Sequence, residues 1–274
     1  MLWAVAGGAL AIVAVGLAVL VVLHRRRRTA VYAQLASRRE ELIRGQQIAM
    51  AAAAPPEALH TQFQQLRLVR TAGFLTPECL ARLRAEAEEN IPRMVRSYLP
   101  THKKGSTLSY ESIYRYAPGC LAFYHSPRVG EWISAVVGQE VYPTPEQDQS
   151  SLSVLCYKEA GDHIQWHYDH NFYRGRHFTV LLSLCNSSAA GGLSSSRLVY
   201  KDDQGSEVEV DTSPNVLVLF EGARVLHRAT PTAEGDLRIM LSMTYCCDPR
   251  IRWWREVARR VKDTGFFGLR ALWQ

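Results

Sequence analysis

The chain has 274 residues, 47% of them hydrophobic and 21% charged. That balance fits one globular domain of ordinary size with an appendage and excludes disorder, collagen and repeat arrays. The formal net charge of +6 sits at the two ends: Arg25–Arg28 carry +4 and residues 250–274 carry +5, leaving −3 for everything else. A nucleic-acid partner is excluded on this ground, because the central part lacks the basic surface that phosphate contact requires. Six cysteines without a CxxC pair give neither a disulfide scaffold nor a zinc ribbon, and read as reduced, mostly buried thiols.

Leu2 to Leu23 is an uncharged, mostly aliphatic run. As a helix it would span ~33 Å, enough for a hydrocarbon core of ~30 Å, so residues 1–24 are predicted to be a transmembrane anchor with membrane lipid as partner. Met1 leads directly into the apolar run without a positive n-region, which separates it from a cleavable leader. All nearby positive charge, Arg25–Arg28, lies on the C-terminal flank and predicts that the following domain faces the cytoplasm. Residues 25–65 read as a basic flank and helical stalk, closed by Ala51–Ala54 and Pro55-Pro56. At Thr76-Pro77-Glu78 a helix is predicted to begin, with Thr76 as cap, Pro77 in the first position, and Leu80, Leu83 and Ala87 on its apolar face.

From Ser151 onward the pattern changes to short β-rich runs separated by turn signals: SLSVLCYK, HFTVLLSLCN, SRLVYKDD, SEVEVD, NVLVLF and RIMLSMTYCC. Regularly spaced strands of this kind predict an antiparallel sandwich or jelly roll rather than a parallel βαβ sheet. The expected fold is thus mainly β with flanking helices, the domain proper running over 66–249. Residues 250–274 form a basic, aromatic C-terminal helix.

His167-Tyr168-Asp169 places an imidazole and a carboxylate two residues apart, and on an extended strand both project to one face. His227 follows the apolar strand Asn215–Phe220 and the turn-like Glu221-Gly222, where a third ligand could arrive from a neighbouring strand. Two imidazoles and one carboxylate on one face of an ion leave coordination positions open, the arrangement of oxygen-activating non-haem Fe(II). Arg238 is expected to open the strand that pairs beside the one bearing His227, with its guanidinium inside the barrel. A buried guanidinium needs an anionic partner. No acid follows on that strand, and a ligand carboxylate would fit. Tyr157 offers a phenolic hydroxyl from the same side, or else packs in the core. His163, His170 and His177 crowd the same region and are assigned no role.

The ordered combination of HxD at 167–169, Gly191-Gly192 after a strand ending Leu184-Cys185-Asn186, the segment PNVLVLFEG leading to His227, and the downstream Arg238 resembles the Fe(II)/2-oxoglutarate-dependent dioxygenase superfamily. Its prolyl 4-hydroxylase-like branch is the nearest likeness, over roughly Arg70 to Asp248. The resemblance implies a double-stranded β-helix, with His167, Asp169 and His227 as metal ligands for Fe(II) and with Arg238 and Tyr157 binding the 2-oxoglutarate cosubstrate. It leaves room for ascorbate. The activity it implies is hydroxylation of a protein, prolyl or other, or of a small molecule, with release of succinate and CO2. The chain departs from the pattern after Gly191-Gly192, which continues Leu193-Ser194-Ser195-Ser196-Arg197 instead of reaching an aromatic. Arg238 also stands where the collagen-type branch often carries lysine. Related halogenases lack the acidic ligand that Asp169 supplies, which favours oxidation over halide transfer.

Other readings stand beside this one. A non-catalytic β-barrel binding or scaffold protein at the membrane would keep the fold without turnover. A cupin-like metal enzyme without 2-oxoglutarate would leave Arg238 without its carboxylate. The tail containing Trp253, Trp254, Phe266, Phe267 and Trp273 either lies on an anionic surface or packs its aromatic face on the β-core, the second being preferred.

Overall fold

The computed structural model describes residues 33–51, 55–99 and 101–267, with isolated positions between 15 and 30, and side chains as far as residue 263. The run Leu2–Leu23 falls largely outside the described residues, and among those described no helix is long and apolar enough to cross a membrane.

Among the described residues twelve strands form one sheet: β1 (Leu68–Thr71), β2 (Val95–Leu99), β3 (Lys103–Leu108), β4 (Tyr142–Pro143), β5 (Leu152–Tyr157), β6 (His163–His167), β7 (Tyr173–Ser188), β8 (Leu198–Lys201), β9 (Glu207–Val210), β10 (Leu217–Phe220), β11 (His227–Ala229) and β12 (Asp236–Ile251). Their order is β1-β10-β7-β12-β5-β3-β6-β11-β8-β9, with β2 beside β3 and β4 beside β12. Neighbours pair antiparallel, and the barrel-like result fits a jelly roll. The six runs expected from Ser151 onward correspond to β5, β7, β8, β9, β10 and β12. The strands before them, and β6, were not anticipated as separate elements. β3 explains why: its sequence KKGSTL is polar, yet Lys103, Ser106 and Thr107 are buried, so its inward face carries chemistry where a strand pattern would show apolar residues.

The alternation of β12 divides the molecule into two compartments. Arg238, Met240, Ser242 and Thr244 line a cavity inside the barrel, while Ile239, Leu241, Met243 and Tyr245 enter the main hydrophobic core on the other face. Burial on both faces makes the strand read as a nearly continuous apolar run. The sequence expectation placed Arg238 beside the strand of His227; instead β12 pairs with β5 and β7, and β11 pairs with β6 and β8. Arg238 therefore reaches the site from the opposite wall.

Helices cover the outer face of the sheet. They are α1 (33–44), α2 (Pro56–Leu66), α3 (Pro77–Glu89), α4 (Tyr110–Tyr116), α5 (Pro118–Tyr124), α6 (Pro127–Val137) and α7 (Trp253–Phe267). α3 starts as its sequence demands, with the Thr76 hydroxyl accepting from the Cys79 amide at 3.4 Å and Pro77 in the first turn. The stretch expected as a stalk packs onto the domain: Leu35, Leu42 and Ile48 meet the core, the Tyr114 hydroxyl donates to the Leu35 carbonyl at 2.7 Å, and Arg39 pairs with Glu146. α2, also assigned to the linker, buries Leu59 and Phe63. All six cysteines are free, five of them buried.

For Trp253 and Trp254, α7 corrects the preferred reading of the tail; the side chains of Phe266 and Phe267, and Trp273, lie outside the described residues. Trp253 and Trp254 are 77% and 48% exposed, whereas Arg259 and Asp263 are 2% and 1% exposed. The helix turns a charged stripe inward and leaves its aromatic pair outside.

If α2 belongs to the folding unit, Phe63→Ala will destabilise the chain by about 3–5 kcal/mol, read as a shift in the denaturant midpoint at unchanged slope. A change below about 0.5 kcal/mol would return 56–66 to the status of a linker.

Candidate metal centre

β6 and β11 pair with His167 directly opposite His227, which brings the two imidazole centroids to 4.2 Å. Asp169 lies just past the end of β6. One ligand atom from each of His167, Asp169 and His227 lies within 4.8 Å of the others, with Asp169 Oδ1 at 3.6 Å from His167 Nε2 and 3.9 Å from His227 Nε2. The structure thus gathers the three residues singled out from the sequence around one point.

Both imidazoles are oriented alike. His167 Nδ1 lies 2.8 Å from the Gln165 carbonyl and His227 Nδ1 lies 2.9 Å from the Val225 carbonyl. A carbonyl accepts only from N–H, so each Nδ1 carries the proton and each Nε2 presents its lone pair to the shared point. Burial, and then the neighbouring His227, pull the His167 pKa down to about 4 against the opposing pull of Asp169, which keeps this imidazole in its ligating neutral form at neutral pH. Burial pushes the Asp169 carboxyl up, but His227, His167 and a hydrogen bond from Thr179 outweigh it and hold it below the ordinary carboxylate range.

Asp169 is fixed from two sides that the sequence did not announce. Its amide donates to the Gly222 carbonyl at 2.9 Å, and Thr179 Oγ1 donates to its Oδ2 at 2.5 Å. A β-carbon on Gly222 would collide with both the Asp169 carboxylate and Thr179 Oγ1. The turn-like Glu221-Gly222 was legible as a turn only.

The three ligand candidates open onto a cavity of about 190 Å³. Across it stands Arg238, 2% exposed, with its Nε without a hydrogen-bond partner and its guanidinium carbon 5.7 Å from the ring centre of Tyr157, its register partner on β5. No acid reaches Arg238 among the described residues, and burial lowers its pKa. An orphaned guanidinium facing a cavity fits a carboxylate-bearing ligand, because its cost in isolation is several kcal/mol. Tyr157 is buried, and burial pushes its phenol up to about 12 against the pull of Arg238.

Lys103 was missed by the sequence reading. It lines the same cavity, donates from Nζ to Thr107 Oγ1 at 2.9 Å, and has its pKa pulled down to about 8 by burial. Of the histidines left without a role, His163 is bound to the Gly161 carbonyl and His170 stacks on Phe172. His177 faces the cavity, buried, and its Nδ1 has no partner among the described residues.

Residues 152–245 match the family described as 2OG-Fe(II) oxygenase superfamily. Those residues carry the pattern of that superfamily. The chain is a 2-oxoglutarate-dependent oxygenase, with Fe(II) as its metal and 2-oxoglutarate as its cosubstrate. Residues 51–182 also match the family described as Halogenase D. No curated protein matches the chain. Many solved structures share the fold, among them the following three. The non-haem alpha-ketoglutarate-dependent epimerase SnoN from nogalamycin biosynthesis is 14% identical, covers 70% of this chain and 80% of its own, and superposes with a TM-score of 0.59. A Pseudomonas putida prolyl-4-hydroxylase is 16% identical with coverage of 71% and 99% and a TM-score of 0.56. A Trichoplax adhaerens prolyl hydroxylase, solved with a hypoxia inducible factor peptide fragment, is 18% identical with coverage of 70% and 89% and the same score.

Gly222→Ala should weaken Fe(II) binding about tenfold or more in an anaerobic titration, while Thr179→Ser, which keeps the donor to Asp169, binds as wild type. Equal affinity of Gly222→Ala and wild type would show that Asp169 does not need the space.

Proposed function

We propose that this oxygenase is a membrane-anchored, cytoplasm-facing dioxygenase that hydroxylates a protein, prolyl or other, or a small molecule. In this reading His167, Asp169 and His227 bind Fe(II), and Arg238 with Tyr157 grips the C5 carboxylate of 2-oxoglutarate, all within a double-stranded β-helix. The observation that carries it is the meeting of three inward-aimed ligand atoms with an unneutralised buried guanidinium on opposite walls of one cavity.

Bound iron and 2-oxoglutarate supply the oxidising power, with succinate and CO2 as co-products. The residues of the chain supply geometry. His167 and His227 offer fixed lone pairs, Asp169 offers the single negative charge, and three protein ligands leave positions open for cosubstrate and oxygen. Arg238 orients the diacid by its distal end, and the apolar lining from Leu155, Leu181 and Met240 restricts water.

The Halogenase D match raises halide transfer as a second reading. Asp169 tells against it, since a carboxylate there takes both the coordination position and the charge that a halide would bring. The substrate stays broad because the structural neighbours include one solved with a peptide and one solved with Fe3+, alpha-ketoglutarate and nogalamycin RO. The anchor rests on the apolar run Leu2–Leu23 followed by Arg25–Arg28, whose flanking charge favours a cytoplasmic domain.

Asp169→Ala or His227→Ala should abolish iron-dependent succinate formation from 2-oxoglutarate. Wild-type turnover in either variant would refute the ligand set, and absence of succinate formation in the wild type under a broad substrate screen would favour the non-catalytic scaffold. Arg238→Ala should raise the 2-oxoglutarate requirement by about 10- to 100-fold, measured as the apparent KM; an unchanged requirement moves the carboxylate anchor elsewhere.

A further inference from the structure

α7 is built with its polarity reversed relative to an ordinary surface helix. Its inward stripe is ionic. Arg259 bonds Glu256 at 2.8 Å and Asp263 at 2.7 Å, and Lys262 reaches Asp148 at 3.1 Å. Asp148 in turn accepts from the Tyr173 hydroxyl at 2.9 Å, and Arg255 donates to the Tyr173 carbonyl at 3.0 Å. This network pins the helix to the segments around Asp148 and Tyr173 on the rim of the barrel. Lys262 and Asp148 also line the cavity that holds the iron site, so α7 stands at the cavity's edge.

The outward stripe is apolar. Trp253, Trp254, Val257 and Val261 are 77%, 48%, 56% and 67% exposed, and spacings of three, four and eight residues put them on one side of the helix. Both acids of α7, Glu256 and Asp263, are paired with Arg259, Arg260 or Lys262. Arg252 stacks on Trp254 at 5.1 Å, whereas Arg250, though mostly exposed, is paired with Asp248 at 2.6 Å. The face therefore combines exposed tryptophan, valine and arginine. Leaving such an apolar stripe in water is unfavourable, and the pairing of tryptophan with arginine suits the headgroup boundary of a bilayer.

We propose that the outward face of α7 lies on an anionic membrane surface, with Trp253, Trp254, Val257 and Val261 entering the headgroup boundary and Arg252 meeting acidic lipid. A lipid surface is favoured over a protein partner by the cationic rim and by the apolar run near the N-terminus, whose predicted place in a bilayer would keep the domain within reach of lipid. This inference leans on the anchoring reading for proximity only; the face itself is defined by α7. Because Lys262 is shared with the cavity, a seated α7 holds the mouth of the iron site at the membrane.

The test uses the full chain in vesicles of phosphatidylcholine with and without phosphatidylserine, containing brominated lipid. Tryptophan quenching is compared between wild type and the Trp253→Phe/Trp254→Phe variant, so that the difference reports α7 and not the tryptophans elsewhere. Flotation of the same vesicles reports the anchor separately, and iron-dependent succinate formation reports the enzymatic reading. The expected result is a quenching difference that appears with phosphatidylserine, falls at high salt, and is weakened in Arg252→Glu by about fivefold in lipid dependence, the effect of one basic residue at a charged surface. A wild type and double variant quenched alike in every vesicle overturns the proposal and gives the face to a protein partner. Quenching indifferent to phosphatidylserine overturns the anionic specificity.

Discussion

The pairing of β6 with β11 in one register is the constraint on which this site depends. It sets His167 opposite His227, and because side chains alternate along a strand, a slip of one residue would turn one imidazole out of the barrel. The carbonyls of Gln165 and Val225 then select the same tautomer in both rings. Asp169 is placed by a different device, a turn whose Gly222 leaves room for the carboxylate to lie against the backbone. Metal geometry is thus written into backbone pairing and one missing β-carbon, and the barrel acts as a jig for three ligand atoms.

Electrostatics divides the cavity into two ends. Near the ligand candidates the protein contributes one carboxylate and neutral imidazole. On the opposite wall it buries Arg238 without a protein acid, and Lys103 lines the cavity on β3. Unpaired burial of a guanidinium is costly in the free protein, and a diacid bound as proposed would relieve that cost while bridging the ends. In the proposed reading the same imbalance would give the cosubstrate its binding energy and direction, and the strands bearing these groups are backed by the main hydrophobic core.

The C-terminal helix shows a related exchange at the surface. Packing Arg259 and Asp263 inward satisfies one against the other in place of an apolar contact, and the tryptophans and valines that could have filled that role are turned out. Together with the cationic flank of the apolar N-terminal run, this gives the chain two chemically similar ends, each mixing apolar and basic residues, around a weakly acidic enzyme body.

The residues of the candidate metal centre were legible in the one-dimensional chain as types and spacings: HxD suggested two groups on one side of an extended strand, although Asp169 lies past the end of β6 and is placed by a turn, and a histidine after an apolar strand and a turn is free to approach from its neighbour. The β-rich half, the cap at Thr76 and the buried thiols followed from equally local rules of alternation, capping and composition. What only the tertiary structure decided depends on contacts between distant segments. Such contacts seated the presumed stalk on the core through Leu35 and Phe63, and drew Lys103 inside from a polar strand. They also brought Arg238 to the site from β12 between β5 and β7, reserved the space at Gly222, and chose which face of the last helix is buried. Periodicity reports that a helix has two faces; which of them meets the protein depends on whether its charges find partners there, and Asp148 and Tyr173 lie 114 and 82 residues from the α7 side chains they meet.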